Sequence, residues 1–143
     1  MSKLYNQLKD LPYFVDNEYL QKYVQLVEMH TRTVAKHTGM HKHHIIPKSW
    51  FKLCNVPCDD SLRNLVVLRV KEHFLAHYYL CLCTEDPFQY ANELALICLE
   101  SNIRKNTVDQ HLLHSLPMYN NIYESYSLKL KSNYRLYSTK EKT

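Results

Sequence analysis

Two histidines four residues apart, His73 and His77, are the first pair of side chains in this sequence whose spacing suggests chemistry. The stretch 70–83 carries the apolar stripe of a helix, and residues i and i+4 project from one face of a helix. Two imidazoles placed in this way reach one divalent cation at about 2.0–2.1 Å each. A third ligand has to come from another element, and the histidine-rich segment 40–46 offers it.

Segment 40–46 has the pattern of a β-strand and contains two adjacent histidines, His43 and His44. Neighbouring residues of a strand point to opposite sides. If His43 faces the helical pair, His44 faces partly away and stays available as a base, while His41 shares the side of His43. A divalent ion polarises a phosphoryl oxygen, and an imidazole with an ordinary pKa near 6.5 takes a proton from water near neutral pH. The pattern therefore predicts a hydrolytic site.

The stretch HKHHIIPKSW…DDSLRNLVVLRVKEHFLAH, within residues 40–83, resembles the HNH endonucleases of the ββα-metal superfamily. It is similar to colicin-type DNases and to small phage and mobile-element HNH proteins. The resemblance implies a nuclease that cleaves phosphodiester bonds with one divalent ion, with Mg²⁺, Mn²⁺, Ni²⁺ and Zn²⁺ all open. It assigns His44 as the general base and Asn64 as the residue that pins the connecting loop. The metal ligands that it implies are His43, His73 and His77.

The sequence departs from the family pattern at two places. Trp50-Phe51 stands where phage relatives usually carry Gly-Gly, which predicts a different loop or a short apolar helix packed on the core. Arg69 stands where a Thr or Ser commonly caps the helix, and loss of that cap should cost about 1 kcal/mol. Glu72, beside a proposed ligand, either orients an imidazole or only favours the helix N-terminus.

Charge is concentrated in one part of the chain. The net charge is +4, yet no Asp or Glu occurs from Met29 to Cys58, and the five lysines and arginines there have five histidines among them. Such a surface suits a polyanion, although solvated surface charge is the alternative interpretation. The nucleic-acid-contacting residues that we predict are His41, Lys42, Lys48 and Arg69.

Composition excludes several classes of protein. The single glycine excludes Gly-rich phosphate loops. No run of 18 apolar residues and no apolar leader is present, so we expect neither a membrane span nor secretion, and we place the protein in the cytoplasm of a bacterium or a phage-infected host. The five cysteines lack zinc-ribbon spacing and indicate reduced, buried thiols.

Periodicity predicts a single α+β domain, 1–143, in which a ββα core at 40–83 lies between an N-terminal helical segment, 1–39, and a C-terminal helical extension, 84–143. A helix over 17–37, capped by Asp16 or Asn17, ends near Gly39. The further predicted elements are strand 40–46, a loop over 48–63, strand 65–68, helix 70–83, a helix from Asp86 to about Lys105 with a capping box at Gln89, a short helix from Thr107, and a tyrosine-striped helix over 119–137.

Double-stranded DNA is the predicted partner. Two alternatives use the same residues: a non-catalytic nucleic-acid-binding module braced by its metal, and a ribonuclease on the same scaffold. The tyrosine-striped C-terminal helix either packs on the core or reaches along DNA. It also offers a surface for a homodimer or another protein partner.

Overall fold

The computed structural model describes residues 2–30 and 40–104, together with 121, 122, 124, 125 and 128. Within these residues, five helices surround a two-stranded antiparallel sheet, which confirms a small, mostly helical α+β fold. The elements in chain order are α1 (Lys3–Lys9), α2 (Glu18–Glu28), β1 (Met40–His44), α3 (Lys48–Cys54), β2 (Leu65–Arg69), α4 (Val70–Leu82) and α5 (Phe88–Arg104), with one 3₁₀ turn, Leu62–Asn64, directly before β2.

The predicted ββα unit is present as β1, β2 and α4. The register of the sheet places His43 opposite Val66 and His44 opposite Leu65. Leu65 to Leu68 are all buried, as expected for a short β-branched strand in the core. α4 starts directly after β2, without a side-chain cap from Arg69. No loop separates β2 from α4, and this direct connection fixes α4 against the sheet.

Helix α2 buries the predicted stripe of Leu20, Tyr23, Val24 and Val27. Asn17 is the cap, because its Oδ1 accepts from the backbone N–H groups of Tyr19 and Leu20. The predicted extension of this helix to residue 37 is wrong, since it ends at Glu28. The His30 imidazole takes the Leu26 carbonyl, which lies 2.7 Å from its Nδ1. The His30 backbone N–H donates to the Val27 carbonyl and not to the Leu26 carbonyl, as it would in a continuing helix. Residues 31–39, with Gly39, lie outside the described residues.

The loop predicted over 48–63 is wrong for its first half, and the short apolar helix that we considered for Trp50-Phe51 is confirmed as α3. Both side chains are buried, and Trp50 Nε1 donates to the Pro12 carbonyl at 2.9 Å. Burial of two large aromatic side chains outweighs the loop-favouring composition that follows. Asn55 ends α3 in the left-handed region, with φ 56°.

Helix α5 begins at Phe88, but the predicted capping box is wrong. The side-chain Nε2 of Gln89 donates to the Cys81 carbonyl at 2.8 Å and does not reach back to the start of α5. This bond joins α5 to the end of α4. Asp86 accepts from the Tyr90 backbone N–H.

The strand predicted over 40–46 is shorter than expected, because β1 ends at His44.

Most of the predicted C-terminal helices lie outside the described residues. The short helix from Thr107 is among them. Residues 121, 122, 124, 125 and 128, within the predicted helix 119–137, are helical. Ile122 is buried in a small cluster with Val70, Phe74, Cys81 and Leu96, so this helix packs on the core at that position. In the part of the chain that is described, no helix combines the length and hydropathy that crossing a membrane requires.

Candidate metal centre

Three histidines from two elements meet beneath the sheet. β1 contributes His43, and α4 contributes His73 and His77, and one nitrogen of each lies within 4.8 Å of the others. The Nε2 atoms of His73 and His77 are 3.2 Å apart. Two nitrogens bound to one tetrahedral ion lie about 3.4 Å apart, given nitrogen–metal distances of about 2.0–2.1 Å. Three imidazoles with this spacing fit a divalent ion that keeps an open position for water or substrate.

Tyr23 fixes the tautomer of His43. The Tyr23 hydroxyl donates its one hydrogen to the Ile45 carbonyl, at 2.5 Å, and lies 2.7 Å from Nε2 of His43. The hydroxyl therefore accepts from Nε2–H, because a phenol has a single donor. Burial raises the pKa of Tyr23 well above its ordinary value, so the hydroxyl keeps that hydrogen. The lone pair of His43 is then on Nδ1, the nitrogen available to an ion.

His41 gives similar support to His73. The two Nδ1 atoms are 2.9 Å apart, with the rings nearly perpendicular. When His73 donates through Nδ1 to His41, its Nε2 carries the lone pair on the side that faces His77. The predicted placement of His41 on the same side of the strand as His43 is confirmed. Its contact with a phosphate stays a prediction.

Burial keeps the three clustered imidazoles neutral. Desolvation lowers the pKa of His77 to about 4. It lowers the pKa values of His43 and His73 well below the ordinary value, and the positive charge that neighbouring histidines would carry lowers them further. Metal ions bind the neutral form of imidazole, so near neutral pH these side chains give up few protons on binding. The Nδ1 atom of His77 is buried and has no hydrogen-bond partner within the described residues.

His44 lies in a different environment from its neighbour. Its Nε2 is 2.7 Å from Oδ1 of Asp60, whose side chain is 69% exposed against 20% for His44. The hydrogen bond from His44 lowers the pKa of Asp60. The sulfur of Cys58 lies 3.6 Å from the same carboxylate oxygen. The prediction that His44 points away from the helical pair therefore agrees with its partners, and sequence reasoning missed Asp60 because the two residues are 16 positions apart.

Asn64 joins the end of β1 to the loop before β2. Its Oδ1 accepts from the Ile46 backbone N–H at 2.7 Å, and its Nδ2 donates to the carbonyls of Ile46 and Asp59. The Asn64 carbonyl also accepts from the Ile45 N–H. The side chain is 4% exposed. These bonds hold the segment that carries Asp60 against the strand that carries His44, as the loop-pinning role requires.

A cleft of about 350 Å³ opens onto the histidines. Lys42 and Lys48 line it, together with His43, His44, His73 and His77, and α5 forms another wall. Both lysines are exposed, and so is Arg69 at the far end of β2. Of the predicted phosphate contacts, Lys42 and Lys48 are therefore beside the centre, whereas Arg69 is not among the residues that line the cleft.

Two side chains near the centre have structural contacts that the sequence did not reveal. The Glu72 carboxylate lies 3.4 Å from Nε2 of His30, so it joins α4 to the segment that follows α2. His30 is outside the trio of His43, His73 and His77. Tyr23 belongs to the buried stripe of α2, and that pattern gave no sign of its bond to His43.

Comparison with known proteins identifies no relative: no protein-family model, no curated protein and no solved structure matches this chain. The resemblance to HNH endonucleases therefore stays a prediction.

Proposed function

We propose that this protein is a metal-dependent DNA endonuclease that hydrolyses phosphodiester bonds. One observation carries the proposal. Two adjacent residues of β1 belong to two different groups, because His43 joins the buried His73 and the half-buried His77, and His44 pairs with an exposed carboxylate. A metal site that only stabilises the fold does not require the second group, the pair of His44 and Asp60.

His43, His73 and His77 would hold the ion. A bound divalent ion polarises the scissile phosphoryl oxygen and stabilises the charge on the leaving oxygen. The chain prepares this site through Tyr23 and His41, whose contacts orient the rings of His43 and His73. Such outer contacts fix the direction of the lone pairs and raise ligand basicity.

His44 acts as the general base. Asp60 accepts the hydrogen on Nε2, so Nδ1 is the nitrogen that takes a proton from the attacking water. The carboxylate also stabilises the imidazolium that forms, by the same logic as the acid–histidine pairs of hydrolases. Asn64 keeps this pair in place because it ties the Asp59 carbonyl to the end of β1.

DNA is the substrate that the charge pattern favours. Lys42 and Lys48 at the cleft match the negative charge of a phosphate backbone, and contacts of this kind depend on salt rather than on base sequence. A ribonuclease would use the same residues, so an RNA substrate belongs in the test.

A non-catalytic module is the second candidate, and the burial of His43 favours it. This side chain is 3% exposed, and closed sites are typical of structural metal ions. The pair of partly exposed His44 and exposed Asp60 argues for the enzyme instead.

The test is cleavage of supercoiled plasmid, linear DNA and single-stranded RNA with each of Mg²⁺, Mn²⁺, Ni²⁺ and Zn²⁺. We expect the wild type and the control His30→Ala to convert plasmid to nicked or linear DNA with at least one of these ions. His44→Ala should bind DNA and lose cleavage by about 10²–10⁴-fold. Folded protein that cleaves nothing with any ion would favour the non-catalytic module, and cleavage of RNA alone would favour the ribonuclease.

A further inference from the structure

A second group of metal-ligating side chains lies on the exposed side of β1. It consists of His44, Cys58 and Asp60, and one donor atom of each lies within 4.8 Å of the others. Cys58 is an exposed free thiol, and Asp60 is also exposed. The segment that carries them is anchored by the bond from Asn64 to the Asp59 carbonyl. Three different donor types are therefore held together at the surface.

The spacing of these atoms suits a tetrahedral ion. The Cys58 sulfur and Asp60 Oδ1 are 3.6 Å apart. Ligands at about 2.3 Å for sulfur and about 2.0 Å for oxygen lie about 3.5 Å apart around a tetrahedral zinc. His44 Nε2 and the same oxygen, at 2.7 Å, form a hydrogen bond and would separate by roughly 0.6 Å to reach the tetrahedral spacing. A water would complete the coordination.

We propose that His44, Cys58 and Asp60 form a second metal site, selective for Zn²⁺-like ions, that switches the enzyme off. The switch rests on the proposed function, because it acts through the general base. An ion at this site replaces the hydrogen between Nε2 of His44 and Asp60. That hydrogen then resides on Nδ1, so Nδ1 can no longer take a proton from water. The thiol proton of Cys58 leaves to solvent as the thiolate binds.

The donor types separate this site from the buried one. Three neutral imidazoles accept a range of divalent ions, whereas a thiolate selects soft ions and disfavours Mg²⁺ and Mn²⁺. With Mn²⁺ in large excess the buried site holds the activating ion, while the exposed site, which disfavours Mn²⁺, stays open to Zn²⁺. Activity should rise when the first site fills and fall when Zn²⁺ fills the second.

Binding is tested first, without any measure of cleavage. Titration of the reduced full-length protein with Co²⁺ should give two binding events, the weaker of which produces a thiolate-to-cobalt charge-transfer band in the near ultraviolet. Cys58→Ser should lose that band and Cys54→Ser, on α3, should keep it. A band that survives in Cys58→Ser, or the absence of any thiolate band at saturating Co²⁺, would overturn the second site. Asp60→Asn serves as a second variant and should weaken the same event.

Inhibition is tested on Mn²⁺-supported plasmid cleavage with increasing Zn²⁺. Full occupancy removes the base, so the rate should fall by at least about a hundredfold. Cys58→Ser should need at least about tenfold more Zn²⁺ for half-inhibition, since even outer-shell changes cost about 10–100-fold in metal affinity. Equal sensitivity of Cys58→Ser and Cys54→Ser would contradict the switch and leave the endonuclease proposal standing. Absence of all cleavage would instead count against the endonuclease, with the Co²⁺ band still deciding the site.

Discussion

The two sides of strand β1 differ in nearly every property that governs histidine chemistry. On one side, His43 joins His73 and His77 in a buried cluster whose pKa values are lowered by desolvation. On the other side, His44 is partly exposed and bonded to a carboxylate that is 69% exposed. One residue step along a strand is enough to separate the two environments, because side chains alternate across the sheet. Adjacent identical side chains can therefore take the roles of ligand and base.

The supporting contacts differ in the same way. The buried side is organised by groups that fix a tautomer, Tyr23 for His43 and His41 for His73. The exposed side is organised by loop contacts, in which Asn64 positions the segment of Asp60. Changes on the buried side should therefore alter metal binding and stability, and changes on the exposed side should alter catalysis.

The largest expected effect comes from His77→Ala, which removes one of the buried nitrogens. We expect metal-dependent cleavage to be lost. The stabilisation by metal should be lost as well, which for the wild type is about 2.7 kcal/mol at a hundredfold excess of ion over Kd. Thermal melts with and without Mn²⁺ measure it, with His30→Ala as the matched control. An equal rise in Tm for His77→Ala and the wild type would place the ion elsewhere.

Acidification of the metal-free protein should destabilise the buried side. The folded pKa of His77 is about 4, below the ordinary 6.5, so the unfolded chain binds more protons between these values. The contribution of neutral His77 to the free energy of unfolding is therefore fully present above about pH 6.5. It is lost as the pH falls toward 4, and the loss is about 3 kcal/mol for His77 alone. Urea unfolding in EDTA at pH 7 and pH 4.5 checks this. Equal stability at both values would contradict the desolvation of these imidazoles.

Asn64→Ala should cost about 2–3 kcal/mol, since it leaves buried backbone groups of the connecting loop without partners. Cleavage should fall as well, because the segment of Asp60 loses its anchor. Chemical denaturation together with plasmid nicking measures both effects, and Asn6→Ala on the exposed surface of α1 is the control. A variant with wild-type stability and rate would remove Asn64 from the account.

Sequence periodicity predicted the parts of the centre that depend on local geometry. The i, i+4 pair of His73 and His77 and the shared side of His41 and His43 follow from helix and strand repeats, and both are observed. Sequence reasoning failed where packing between distant segments determines the local conformation or the contact. Trp50 and Phe51 form a helix because they bury against the core, and Tyr23 reaches His43 across 20 positions. No local pattern carries that information.

Tyr23→Phe should give the smallest effect. It removes the acceptor for Nε2–H of His43 and should weaken metal affinity by about 10–100-fold with the fold retained. Calorimetric titration with Mn²⁺ measures the change, and Tyr19→Phe on the same helix is the control. Unchanged affinity in Tyr23→Phe would mean that the hydroxyl does not orient the ring.

The most direct test of the division of roles across β1 is a pair of measurements on His44→Ala, namely Mn²⁺ affinity and plasmid cleavage on one preparation. Mn²⁺ is the ion of choice because the site of His44, Cys58 and Asp60, which contains a thiolate, binds it poorly. We predict Mn²⁺ affinity within about twofold of the wild type, since this partly exposed side chain is not a ligand of the buried ion, and cleavage slower by about 10²–10⁴-fold. Undiminished cleavage, or loss of metal binding together with cleavage, would contradict the account.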